Sequence, residues 1–503
     1  MIEKYYSGVI EQIYNRIGKE TRNIVMANYS NDFSIENLEV IRRYQSNEDN
    51  VFFAYSEFSY NTLVGAYEPF LDIICNMHRR FIGGSFDDFQ KECGVYYLHR
   101  QVLNSYYETG ECFREETVLL NEVAYEQRRM TMAIADMLKR LSEVRPLMIV
   151  INRFQMASKS SIETIKYLID NPCANIGIVL GVNAIVKGAD STVEVWDRIV
   201  ESLEDRSAIY YIGSAGPLKN NIKTTNDDEL YITMNFEQSI QEASNIMEFL
   251  DYEQARRGCR IIEHKIKFEN AWIDEKSLRR FYLVYARTSV LLGEMSKAIE
   301  LMNEYKALIP ENDSEHYFSL YYFMKGTCYM YQGKLEKAEG CAKKAYDYAL
   351  LADDELLEFK SELLSVMIKM SGWYNIFFCV QDIPVSDEII EKLIKHGYRN
   401  HLAHIYIYAY DNSRDVVKQS FYDESLLKHF TKGLELAKEI GNEQLVYDAY
   451  QKTIMLASTS GLNEIAFLYV IRTYEFMKGH GNIYVARAVS YTHLRAHETS
   501  LHL

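Results

Sequence analysis

The sequence predicts an α/β parallel-sheet domain followed by an all-α helical-repeat solenoid. Three observations carry that expectation. Five short apolar runs, separated by helix-length segments, occupy the first 250 residues. From about residue 277 such runs largely vanish, and helical periodicity continues to the end. Within that second part a Gly-to-Ala spacing recurs.

The five runs are NIVMA (23–27), VFFAYS (51–56), LMIVIN (147–152), IGIVLG (176–181) and AIYYIG (208–213), with LYITM (230–234) a candidate sixth. All are strand-length and rich in Val, Ile and aromatics. Between them lie helical patterns such as SIENLEVIRRY (34–44) and the long stretch 115–143. Continuously apolar strands alternating with helices indicate a parallel sheet covered on both faces. The opening MIEKYYSGVIEQIYNRIG reads as an amphipathic helix, without the apolar core and basic flank of a signal peptide.

In the second part, GEMSKA begins at Gly293, GKLEKA at Gly333 and GLNEIA at Gly461. Ala298, Ala338 and Ala466 each follow their glycine by five residues. The fullest copy is MKGTCYMYQGKLEKAEGCAKKAYDYA (324–349), with Gly326, Tyr329, Gly333, Ala338 and Ala345 in tetratricopeptide-repeat spacing. Small residues let antiparallel helices cross closely, and a glycine permits the turn between them. The first copy ends at Pro310, and SGWYNIFF (371–378) reads as a decayed copy with Phe377 in the Ala position.

The chain has 503 residues, 48% apolar and 25% charged, with only 6 prolines and no evident flexible linker. Two or three domains are expected. A net charge of −16 argues against a nucleic-acid surface, which needs clustered Lys and Arg. No apolar run approaches the length of a membrane span. The eight cysteines, at 75, 93, 112, 173, 259, 328, 341 and 379, form no C-x-x-C pair. Reduced thiols in a cytoplasmic protein are expected.

A parallel sheet of this kind often carries a phosphate loop after its first strand. Laid on G-x-x-x-x-G-K-[ST], the stretch ANYSNDFS puts Ala27 and Asp32 at the two glycines. Phe33 takes the place of the lysine, and only Ser34 fits. Asp32 would oppose a phosphate, Phe33 supplies no charge, and Ser34 suits a helix N-cap. Gly18-Lys19-Glu20-Thr21 contains a "GK" but precedes the strand.

The stretch PLMIVINRFQMASKSSIETIKYLI (146–169) resembles the Walker B region of STAND signal-transduction ATPases. In that class the strand usually ends in two acids, one for Mg²⁺ and one to position the attacking water. Ala157, Ser160, Ser161 and the helix keep that frame, but Asn152 and Arg153 stand in place of the acids. The next strand ends in Asn183, where many relatives place an arginine near the terminal phosphate. The resemblance, over about residues 20–255, therefore implies the architecture of a P-loop ATPase without its catalysis. No catalytic residue, metal site or bound cofactor is expected, ATP and Mg²⁺ included.

That resemblance also implies the organisation: an N-terminal helix (1–20), a degenerate P-loop-like domain (21–255), a connector (256–276) and tetratricopeptide-like repeats (277–488). The repeat arm implies a protein or peptide partner through an extended concave surface. The pattern NEVAYEQRRM…RPLMIVINRFQMASKSS is also similar to the amino-terminal region of Firmicutes GGDEF diguanylate cyclases, although no G-G-D-E-F occurs here. The alternatives are thus the sensory part of such a cyclase, or an ATPase with an atypical site.

The segment VSYTHLRAHETS sets His493 and His497 four residues apart, the spacing of a helical metal pair. It also resembles a translated sequencing adapter joined in frame. On that reading residues 489–503 are non-native and the native chain is longer.

Overall fold

The computed structural model describes residues 2–29, 38–46, 50–59, 63–183, 193–206, 209–212, 235–268, 273–312, 314–374, 386–408, 424–459 and 461–479. The chain divides into two compact units, Met1–Leu308 and Ile309–Leu503.

In the first unit, β1 (Ile24–Tyr29), β2 (Phe52–Glu57), β3 (Leu147–Asn152), β4 (Ile176–Asn183) and β5 (Ile209–Ile212) form one sheet in the order β2-β3-β4-β1-β5. Every pairing is parallel. All five expected runs became strands, LMIVIN with both ends unmoved and the others with ends moved by at most two residues. LYITM lies outside the described residues. β3 and β4 are buried along their whole length, which is why they read as unbroken apolar runs.

The helices of this unit are α1 (Ile2–Arg16), α2 (Glu39–Ser46), α3 (Phe70–Met77), α4 (Phe86–Glu92), α5 (Tyr97–Thr109) and α6 (Val123–Val144), then α7 (Lys159–Asp170), α8 (Val193–Asp205), α9 (Phe236–Glu248), α10 (Tyr252–Phe268), α11 (Glu275–Leu291) and α12 (Met295–Ala307). Tyr6, Ile10 and Ile13 of α1 share one core with Ile134 and Leu138 of α6 and Ile162 and Ile165 of α7. α1 lies close on β4 because that strand carries glycines. A Cβ at Gly177 would fall 2.9 Å from Ile13 and Ile17 side-chain atoms. α10 runs through residues 256–268, where the sequence reading places a connector.

The long helix starts at Val123 rather than Glu115. The segment before it has its own tertiary anchors: Cys112 N donates to Asn245 Oδ1 at 2.9 Å, and buried Glu116 accepts from the Tyr97 hydroxyl. These contacts win over its local helical spacing.

The second unit contains α13 (Glu315–Tyr331), α14 (Leu335–Leu351), α15 (Glu355–Tyr374), α16 (Asp387–His396), α17 (Arg399–Tyr408), α18 (Glu424–Glu439), α19 (Glu443–Thr459) and α20 (Asn463–Gly479). Gly333, between α13 and α14, has φ +72°. Its amide donates to Met330 O, and Lys334 N reaches back to Tyr329 O. This is the paired hydrogen bonding of a Schellman cap. The same pattern recurs at Gly293 between α11 and α12, at Gly441 between α18 and α19, and at Gly461 between α19 and α20. Asp353 takes the glycine position between α14 and α15, with φ +53°. Asp tolerates the left-handed region better than most side chains. Ala338, Ala342, Ala345 and Ala349 make one fully buried stripe on α14, which packs against both α13 and α15. A Cβ at Gly326 would sit 3.3 Å from Cys341 Cβ, so α13 and α14 cross tightly there. This is a helical-repeat architecture. α20 leaves Phe467, Leu468, Ile471 and Tyr474 exposed. Of the decayed copy at 371–378, residues 371–374 end α15, and 375–378, Phe377 included, lie outside the described residues.

Candidate functional site

Open parallel sheets bind ligands at the carboxyl ends of their strands. The register places the sequence-singled positions along that edge. Glu57 pairs with Asn152, Ala27 with Gly181, and Tyr29 with Asn183. Ile151 pairs with Leu180, which sets Asn152 beside Gly181. Ala27, Asn152, Arg153 and Asn183 are therefore brought to one end of β1, β3 and β4. Asp32, Phe33 and Ser34 lie outside the described residues, as do His493 and His497.

Asn152 is fully buried, and its Oδ1 accepts from the Tyr29 hydroxyl at 2.6 Å. The Tyr29 ring meets Tyr6 of α1 edge-on at 6.3 Å. Burial raises the Tyr6 phenol well above its ordinary pKa, and Tyr29, Tyr55 and Glu57 push the same way, so it stays neutral. Gly181 makes room for this cluster: a Cβ there would stand 2.8 Å from Asn152 Oδ1 and collide with the Tyr6 hydroxyl. Asn28 of β1 is also fully buried, and neither polar atom of its side chain has a hydrogen-bond partner among the described residues.

Arg153 follows with φ +55°, a left-handed turn that carries the chain out of β3. Its Nη1 lies 3.1 Å from Glu57 Oε1 and donates to Phe58 O at 3.4 Å. Both side chains of this pair are largely covered, at 22% and 16% exposure. Gln155, in the 3-10 turn Phe154–Met156, accepts from Asn183 N at 3.3 Å and so closes the end of β4. Ala157 is buried, and the N-cap of α7 is Ser158, whose hydroxyl accepts from Ser161 N. Ser160 N donates to Asp251 Oδ2 at 3.0 Å, and Ser161 Oγ donates to Glu68 O at 2.7 Å. These serines tie the helix to its neighbours.

Among the described residues of this edge, Asn152 and Arg153 do not fit a Mg²⁺–nucleotide. A hard cation is held best by carboxylate oxygens, and position 152 offers a neutral amide oxygen already held by Tyr29. Position 153 offers a cation, and it is paired with Glu57. Among the described residues no group of three or more His, Cys, Asp or Glu is arranged to hold a metal. Sequence reasoning missed Tyr6, Tyr29, Glu57, Gln155 and Gly181. Polar residues closing apolar strands, and a glycine inside one, were the available signals.

No family model matches the chain. No curated protein matches it either. Among solved structures it is similar to the crystal structure of the Signal Transduction ATPase with Numerous Domains (STAND) protein with a tetratricopeptide repeat sensor from Pyrococcus horikoshii. The two are 12% identical, the match covers 93% of this chain and 84% of that one, and the TM-score is 0.40. A likeness this distant transfers neither residues nor activity. Among the described residues no helix is long and apolar enough to cross a membrane.

Proposed function

We propose that the chain is a regulatory, signal-transducing interaction protein. Its ATPase-like domain serves as a scaffold without hydrolysing ATP, and its repeat arm binds a protein or peptide. The observation that carries this reading is the state of the β3 end. Asn152 and Arg153 occupy the positions of the two acids, and both are engaged by neighbours in the chain, Tyr29 and Glu57. Neither can coordinate Mg²⁺ as a carboxylate or accept a proton from water. The arm's regular hairpins support the binding role, since stacked helix pairs present an extended surface.

The test is equilibrium ATP binding and phosphate release on the full chain, with and without Mg²⁺. Binding that stays undetectable at millimolar ATP, with release at the buffer rate, is the expected result. Saturable binding strengthened by Mg²⁺, or turnover above background, overturns it.

A further inference from the structure

α20 is apolar on two sides. Ala466, Val470, Thr473 and Met477 are buried where the helix packs on α19, and Tyr450 of α19 meets Tyr469 and Phe476 edge-on. On the other side Phe467, Leu468, Ile471 and Tyr474 are 36–48% exposed. A helix apolar all round is stable only when covered all round, and a contiguous exposed apolar face marks an interaction surface. Exposed Glu464 and Lys478 bound this face at its two ends, and neither forms an ion pair among the described residues. Three- and four-residue steps from 464 through 467, 468, 471, 474 and 475 to 478 keep these positions on one stripe.

The stripe is symmetric about Ile471. Leu468 and Tyr474 lie three residues to either side of it, and Glu464 and Lys478 lie seven. Suppose the helix meets its own copy antiparallel, with Ile471 on the two-fold axis. Residues equally far before and after Ile471 then face each other. Leu468 meets the copy's Tyr474, Ile471 meets Ile471, and Glu464 meets the copy's Lys478 at both ends. Phe467 and Glu475, four residues to either side, meet at the rim, ring edge against methylene stem. An apolar centre with a charged rim is the layout of a protein interface. Charge also selects the direction. A parallel pairing would set Glu464 against Glu464 and Lys478 against Lys478, and would align the two helix dipoles.

We propose that the exposed face of α20 is an isologous dimer interface, in which two copies of the chain pair antiparallel across Ile471. One helix pair buries less than the ~1,600 Å² of a standard interface, so the dimer is reversible, with a micromolar dissociation constant.

Sedimentation equilibrium of the full chain, from low micromolar to about 100 μM at physiological salt, tests this. A monomer–dimer equilibrium is expected. Ile471→Asp sets like charges together on the axis and should weaken the dimer by about a hundredfold or more. Glu464→Lys turns both end pairs repulsive and should weaken it about tenfold, and adding Lys478→Glu should restore it. Glu336→Lys, the same charge change at an exposed position of α14, should dimerise as the parent does. Circular dichroism checks that each variant is folded. A full chain that stays monomeric throughout overturns the proposal, and would mean that the face is covered from within the chain or kept for another protein. Growth past the dimer, an undiminished Ile471→Asp, or a double exchange no better than Glu464→Lys overturns it too.

Discussion

The Tyr29 hydroxyl donates to Asn152 Oδ1 at 2.6 Å, joining the ends of β1 and β3, which are not neighbours in the sheet. Gly181 of the intervening β4 leaves the room for this bond. Tyr29→Phe should lower unfolding stability by about 1 kcal/mol, the net worth of a buried hydrogen bond. Gly181→Ala should cost about 1–3 kcal/mol by overpacking. Urea titration of each variant checks both. An unchanged Gly181→Ala would mean that the cluster is looser than its geometry.

Placing acids at the β3 end should not create ATP hydrolysis. Asn152→Asp with Arg153→Asp puts two carboxylates beside Glu57 and removes the cation that pairs with it. Lower stability with phosphate release still at background is expected. Release above background in the double variant would show that only two residues separate this edge from a working site.

Two glycines in helices of the second unit should respond in opposite directions. Gly340 of α14 is exposed, with nothing within 4 Å of where an added Cβ would stand, so Gly340→Ala should stabilise by ~0.5–1 kcal/mol through helix propensity. At Gly433 of α18 the added Cβ would meet Tyr406 Cβ at 2.9 Å and Ile407 N at 3.2 Å. Gly433→Ala should destabilise by about 1–3 kcal/mol, because backbone must move. Chemical denaturation followed by circular dichroism distinguishes the signs.

Glu242 predicts a pH dependence. Burial first, then the charges of Glu68 and Asp72, push its folded pKa up to about 7, above the unfolded value, so the folded state favours the protonated form. The stability it contributes is full below the unfolded pKa and is lost as pH rises through about 7. Glu242→Gln should match the parent near pH 4 and exceed it by ~3 kcal/mol near pH 8.5. Paired denaturation curves at the two pH values read this directly.

The strands were legible because their residues are apolar on both faces, as sheets covered by helices require. Gly293, Gly333 and Gly461 were legible because a Schellman turn asks for that residue, whereas Gly441, followed at five residues by Val446 rather than Ala, was missed. Asp353 escaped notice because it fills the turn without being glycine. The start of α6 was missed because Asn245 and Tyr97, distant in sequence, hold the preceding segment. At the candidate site Asn152 and Arg153 could be singled out locally. Their engagement by Tyr29 and Glu57 could not, since it depends on the register of strands that β-pairing alone decides.

The sheet order sets an order of events in time. Ile24 of β1 is in register with Ile178 of β4, some 150 residues later, and the other neighbour of β1 is β5, later still. Emerging from a ribosome, β1 has no strand to join until most of the first unit has been made. A chain halted before β4 offers an apolar, hydrogen-bond-hungry segment to whatever is nearby. The α13–α14, α14–α15, α18–α19 and α19–α20 hairpins close over turns of a few residues and can form as they appear. Nascent-chain proteolysis should therefore find the sheet protected late and abruptly, and the repeats protected one after another.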